Sequence, residues 1–131
     1  MTDKETSEDS SEQFCMLVKN SPDAYLLIKD KIFIDCNQAA EKMLELQREQ
    51  IVGFSPAHFA PKYQPDGRSS AAAAEEWLSL TSQNGKASFE WMHHRPDGSE
   101  LFIDVSLSSA ILNGKQIILV CLHDITARKR A

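Results

Sequence analysis

His93, His94 and Asp97 stand close together, and side chains of these types ligate metal ions or move protons. Their spacing argues against a shared ion. Adjacent residues on a strand point to opposite faces, so His93 and His94 are expected to diverge. His93 shares its face with Phe89 and Trp91, which makes it the histidine with access to an interior pocket. His58 lies in a proline-rich loop and would reach a haem only if that loop folded inward, and His123 near a strand end reads as structural. The nucleophile motif G-x-S-x-G, the zinc-ligating motif H-E-x-x-H and a phosphate-cradling glycine loop do not occur. Glu75-Glu76 reads as a solvated helix surface. Catalysis therefore has no residue-level support, and no metal site is expected.

Binding has more. Trp77 falls on a helix and Trp91 on a strand, and rings that both point inward would wall one cavity. Such sites are mostly apolar with a few polar groups. The candidate pocket residues are Trp77, Leu78, Thr81, Phe89, Trp91 and His93. Core filling and ligand binding both remain open for them, because a pocket here is a core left partly open. The cysteines, Cys15, Cys36 and Cys121, are odd in number and widely spaced, with no C-x-x-C. They suit neither a disulfide framework nor a zinc site and read as small buried hydrophobes.

The elements that must position these residues follow from periodicity. Residues 1–10 are polar and acidic and are expected to be disordered. A helix is expected over 11–20, with Phe14, Leu17 and Val18 as its apolar stripe. Ser21-Pro22 stops it. Tyr25–Ile28 and Ile32–Cys36 flank a short polar turn and read as a hairpin. Asn37 caps a helix whose buried face is Ala39, Ala40, Met43 and Leu44. Gly53 closes a second helical piece, and 54–68 is a loop holding three prolines, with room for one helical turn. Ser69 or Ser70 opens a helix to about Ser82, with Ala74, Trp77, Leu78 and Thr81 inward. Strands follow over about 87–94, 100–109 and 116–123, joined by Arg95-Pro96-Asp97-Gly98-Ser99 and by Asn113-Gly114. The last is apolar on both faces, as a central strand should be. This order predicts an α+β domain with one antiparallel sheet.

The 131-residue length suits one domain that buries a core without metals or disulfides. The net charge of -5 disfavours nucleic acid as a partner. No run approaches the roughly 18 apolar residues of a membrane span, and the acidic N-terminus is unlike a signal peptide, so a cytoplasmic location is expected.

Four pieces, in order and at their spacings, are similar to the PAS family of bacterial sensory-box type. They are Asn20-Ser21-Pro22-Asp23-Ala24; Asn37-Gln38-Ala39-Ala40 with Met43-Leu44 and Ile51-Val52-Gly53; Phe89 through Gly98; and His123-Asp124-Ile125-Thr126. Gln64-Pro65-Asp66-Gly67 resembles a segment of one PAS subgroup. The resemblance covers about 12–128. It implies a five-stranded sheet of order 2-1-5-4-3 with helices over one face and an N-terminal flanking helix. It also implies a sensor of a small ligand or partner, with output to a histidine kinase or diguanylate cyclase type of domain. The Asn-Cys-Arg-Phe-Leu-Gln string of flavin-binding members does not occur, and 69–83 contains no histidine. Covalent flavin and haem are therefore not expected, and the cofactor, if any, is unknown.

The domains so read are a disordered 1–10, a flanking helix 11–20, a sensor 21–126 and the start of a linker at 127–131. Phe14, Leu17 and Val18 are expected to form a homodimer contact, since a short amphipathic helix outside the core needs a covering surface; the alternative is that the stripe packs on its own chain's sheet. In the inferred sheet Asp124 lies near Glu100-Leu101 and pairs with Arg95, and Thr126 caps a helix from Ala127. These three would relay signal. The plainer possibility is that Asp124 only caps or turns the chain. A ligand-free dimerisation module is the alternative function. A cone-shaped enzyme of ketosteroid-isomerase type is another, but it needs a buried acid, and Asp104 alternates onto the polar side of its strand.

Overall fold

The computed structural model describes residues 18–131. Its strands are β1 (Ala24–Lys29), β2 (Ile32–Cys36), β3 (Lys86–His94), β4 (Glu100–Leu112) and β5 (Lys115–Asp124). They form one antiparallel sheet of order β2-β1-β5-β4-β3. Helices α1 (Gln38–Leu44), α2 (Arg48–Ile51) and α3 (Ser70–Asn84) and a 3-10 turn (Pro56–Phe59) lie between β2 and β3, and α4 (Thr126–Arg130) follows β5. The α+β class and the strand order are as expected, and the strand apolar on both faces is central.

Turn chemistry sets the register. Asn113 and Gly114 both have positive φ (59° and 75°), the two-residue turn whose twist matches that of the strands it joins. β4 residues 103–112 are thereby matched one to one with β5, from Leu112 opposite Lys115 to Ile103 opposite Asp124. β5 ends there, leaving Glu100, Leu101 and Phe102 of β4 beyond it. This corrects the expected placement of Asp124 beside Glu100-Leu101. Asp30 and Lys31 make a similar turn (φ 52° and 71°) between β1 and β2.

Alternation along the strands buries one face against the helices. Leu26 and Ile28 of β1, Leu101, Ile103, Val105 and Leu107 of β4, and Ile118, Val120 and Leu122 of β5 turn inward. Ala40, Leu44, Ala73, Ala74 and Leu78 meet them from the helices. Burying each large aliphatic side chain contributes about 1.5–3 kcal/mol. Asp104 lies between inward Ile103 and Val105 and turns to the opposite face.

Two helices start at the residues expected to cap them. Asn37 Oδ1 accepts from Ala40 N–H (3.0 Å) to cap α1, and Ser69 Oγ accepts from Ala72 N–H (3.1 Å) to cap α3. Gly85 ends α3 at φ 90°. α3 runs to Asn84 and β4 to Leu112, each slightly beyond its expected end. Phe14, Leu17, the expected disordered segment 1–10 and residues 11–17 of the expected helix 11–20 lie outside the described residues. Val18, the remaining member of that stripe, is half-buried, and its carbonyl accepts from Asn37 Nδ2 (2.6 Å).

Candidate functional site

β3 presents Phe89, Trp91 and His93 to the helix layer, and α3 presents Trp77 and Leu78 to β3. Together with Val105, Leu107, Val120, Leu122, Ile28, Phe33, Ala74 and Pro56 they line a cavity of about 40 Å³. The rings are ordered by contact. Trp77 stacks on Phe89 (4.3 Å between centroids, 7° between planes), and Phe89 meets Trp91 edge-on (5.9 Å, 82°). Of the expected pocket residues, Trp77, Leu78, Phe89, Trp91 and His93 come together here. Thr81 does not line it. It is fully buried one turn further along α3, and its Oγ1 donates to the Trp77 carbonyl (2.8 Å). A Thr hydroxyl on a helix bonds readily to the preceding turn, so the helical stripe placed Thr81 inward but not in the cavity. Trp91 is buried, whereas Trp77 is only half-buried, its ring spanning from cavity to surface.

Two of the residues that line this apolar cavity bury a polar atom. Among the described residues, Trp91 Nε1 and His93 Nδ1 are buried side-chain polar atoms without a hydrogen-bond partner. Each unpaired group of this kind costs about 1–3 kcal/mol. Burial, helped by the neighbouring His94, pushes the His93 imidazole down to about 4, so it is neutral at pH 7. His94 is exposed, so the pair diverges as the strand requires. Among the described residues no cluster of three metal-ligating side chains forms. His58 is exposed and stacks on Phe54 (4.3 Å). His123 is exposed, 3.8 Å from Asp23. Burial raises the Cys36 thiol to about 12, and Cys121 is also raised by burial. Both are half-buried, and Cys15 lies outside the described residues.

Sequence reasoning missed the polar groups that hold these strands. Gln64 is buried beside the edge strand β3. Its Oε1 accepts from Met92 N–H (2.9 Å), and its Nε2 donates to the Met92 carbonyl (3.1 Å) and to Ser70 Oγ (2.9 Å). One side-chain amide thus replaces a neighbouring strand between Trp91 and His93. The visible signal was Gln64-Pro65-Asp66-Gly67, a turn closed by Gly67 N–H to the Gln64 carbonyl (2.9 Å). Its partner Met92 lies 28 residues away, beyond any spacing rule.

The exit of the domain is fastened at several points. Arg95 Nη2 lies 3.8 Å from Asp124 Oδ2. Arg95 Nε also donates to the Met43 carbonyl (3.1 Å) and lies 2.9 Å from Glu45, so one guanidinium joins the end of α1 to the end of β5. Asp124 Oδ1 accepts from Thr126 N–H (2.9 Å), so the turn role considered for Asp124 is present together with the pair. Thr126 is not the cap expected of it. It is the first residue of α4, Ile125 stands at the cap, and Thr126 Oγ1 accepts from Phe102 N–H (3.0 Å). The reason is the overhang of β4, whose Phe102 no longer has a β5 partner and bonds Ile125 and Thr126 instead. Lys129 and Arg128 approach Glu90 of β3 (2.5 and 3.6 Å), and Arg130 approaches Glu100 (3.9 Å). No helix of the described residues is long and apolar enough to cross a membrane.

A family model described as PAS domain matches residues 22–127. The PAS domain of an HTR-like protein from Haloarcula marismortui is 25% identical, with 93% of this chain and 97% of that one covered at a TM-score of 0.72. A PAS domain from a two-component sensor histidine kinase is 18% identical (90% and 98% covered, TM-score 0.70). A PAS domain of a LuxR-family transcriptional regulator from Burkholderia thailandensis, in complex with ethanol, is 15% identical (86% and 97%, TM-score 0.67). No curated protein matches. The latter two likenesses are likenesses of fold.

Proposed function

The chain belongs to the PAS domain family, a family of sensory modules, and from that premise we propose that it senses a small molecule held between α3 and the sheet. The observation that carries this reading is the apolar cavity of about 40 Å³ between α3 and the sheet, beside which Trp91 and His93 each bury a nitrogen that has no hydrogen-bond partner. Buried polar groups are nearly always satisfied, and a core built only for packing would carry aliphatic side chains at these positions. Binding would shift β3 and its neighbours. Arg95, Asp124 and Thr126 would pass that shift to α4 and on to an output domain of histidine kinase or diguanylate cyclase type. The reading retains a cytoplasmic sensor over 21–126, a linker from 127, and a flanking helix over 11–20 that forms a homodimer through Phe14, Leu17 and Val18.

Backbone and indole NMR during titration with a panel of small organic molecules tests the core of it. At least one compound should move resonances of cavity-lining residues in a saturable way, with coupled changes at Phe102, Thr126 and Lys129. Cavity shifts with a silent α4 would rule out the relay. A panel that moves nothing in the cavity would rule out the sensor reading and favour an interaction domain that works through dimerisation alone.

A further inference from the structure

We infer that the open edge of β3 joins a second copy of this chain, antiparallel and in a register centred on Ser88. This contact is separate from the cavity and from the Phe14, Leu17 and Val18 contact, and stands or falls without either.

The two edges of a sheet carry backbone groups that need partners. The β2 edge is closed at Phe33, whose N–H donates to the Phe54 carbonyl (2.9 Å) and whose carbonyl accepts from Gly53 N–H (2.8 Å). The β3 edge is closed at Met92 by Gln64. Those bonds also fix which way the rest of β3 points. Met92 turns its N–H and carbonyl away from β4, whereas Arg95 N–H donates to the Ser99 carbonyl across the hairpin (2.9 Å). Alternation then aims the N–H and carbonyl of Lys86, Ser88 and Glu90 outward along the free edge. Among the described residues nothing bonds them there. The β3–β4 pairing runs without a bulge, and 86–90 holds no proline, so two common guards of an edge strand are missing.

The remaining guard is charge, and charge selects the partner. A second β3 centred on Ser88 places Ser88 opposite Ser88 and, on both sides of it, Lys86 opposite Glu90. Centring on Ala87 instead leaves Glu90 opposite Asn84, beyond the strand. Centring on Phe89 sets Lys86 against Met92, whose groups Gln64 already holds. The Ser88 register alone uses all three outward residues and opposes unlike charges, the favourable cross-strand arrangement. Within its own sheet Lys86 faces Ser108, and Glu90 faces Asp104. Two neighbouring carboxylates therefore meet the incoming Lys86, alongside Lys129 and Arg128 of α4. On the helix side the same register sets Ala87 against Phe89 of the second copy and covers the half-buried stack of Phe89 on Trp77.

Amide exchange on the natural chain gives the first test. Five paired residues make a small contact, so a Kd on the order of 100 µM is expected. Exchange at Ser88 and Glu90 should then be about fourfold slower at about 1 mM protein than at about 10 µM. Lys86→Glu, which opposes like charges, should remove that dependence. Oxidative cross-linking gives the second. Two Ser88 Cα atoms facing each other across the axis lie about 5.5 Å apart, within disulfide reach. Ser106 is exposed on the same face opposite Ser88, and its two copies are three strand spacings apart, about 14 Å. Under a mild oxidant Ser88→Cys should form a linked dimer about tenfold faster than Ser106→Cys or the natural chain.

Ser88 and Glu90 amides that exchange at one rate at every concentration would overturn the proposal, even if the chain is dimeric, because that dimer would be joined elsewhere. Ser88→Cys linking no faster than Ser106→Cys would overturn it too, as would a concentration dependence that survives Lys86→Glu. Should a variant fail to fold, exchange on the natural chain decides alone.

Discussion

His93 is the residue at which stability and recognition meet. Its imidazole is neutral in the folded chain because burial pushes it down to about 4, against an ordinary value of 6.5. The unfolded chain takes up a proton on this residue as pH falls through about 6.5, and the folded chain does so only near 4. Stability is therefore unimpaired above about pH 6.5 and declines as the pH falls towards 4, by up to on the order of 3 kcal/mol. His93→Phe should remove that part of the decline. Urea unfolding of both proteins at pH 7, 6, 5 and 4 measures it, the difference between their slopes cancelling carboxylates common to both. Parallel slopes would mean that the imidazole takes up its proton as readily in the folded chain as in the unfolded one. The placement of His93, Phe89 and Trp91 on one face was legible from a period of two. That two of their polar atoms would be unpartnered was not, because satisfaction depends on residues brought in from other elements. The same limit applies to Thr81, whose inward direction was readable and whose bond to the Trp77 carbonyl was not.

At the scale of elements, Gln64 ties the 61–69 loop to the edge of β3. Gln64→Ala should leave Met92 N–H and its carbonyl without that partner, costing about 2 kcal/mol. The Met92 amide should exchange its hydrogen faster, while amides of central β5 change only with the global loss of stability. A selective loss at Met92 locates the effect at this edge; uniform acceleration of every amide would show that the loop holds no local structure. Local signals predicted most element ends well. Asn37, Ser69, Gly85 and Asn113-Gly114 act through their own backbone or within three residues, so single-sequence reasoning reaches them. The Asp124 register was missed although its cause was present. Counting outward from Asn113-Gly114 pairs Asp124 with Ile103, and the family order of strands alone does not contain that count.

At the scale of the whole molecule, the question is how a cavity on one side of the sheet reaches a helix at its exit. α4 has five residues, too few to persist by helix propensity. Its order comes from docking: buried Ile125, Thr126 on Phe102, and the Glu90 pairs with Lys129 and Arg128. Glu90 is the informative member. β3 turns Phe89 and Trp91 inward to the cavity and Glu90, between them, outward to α4. A displacement of this strand at the cavity thus displaces the docking point with no intermediate residue. Arg95 and Asp124 form a second route, from α1 to the end of β5. The Lys129 ammonium holds the Glu90 carboxyl below its ordinary range, so this attachment is present at neutral pH and is lost as the pH falls through that lowered range. Because the pair is exposed, salt should weaken it and thermal stability should barely register it. The measurement that does register it is amide exchange across 127–130. Glu90→Gln should accelerate exchange there, Lys129→Gln should do so less because Arg128 keeps its pair with Glu90, and the double variant should be no faster than Glu90→Gln alone. In a titration that fills the cavity, Glu90→Gln should retain the shifts of Trp91 and lose those of Lys129. Arg95→Ala, by contrast, should silence Asp124 and Thr126 first. If α4 still follows the cavity after Glu90→Gln but not after Arg95→Ala, the route runs through the strand end, and Glu90 is only a surface pair.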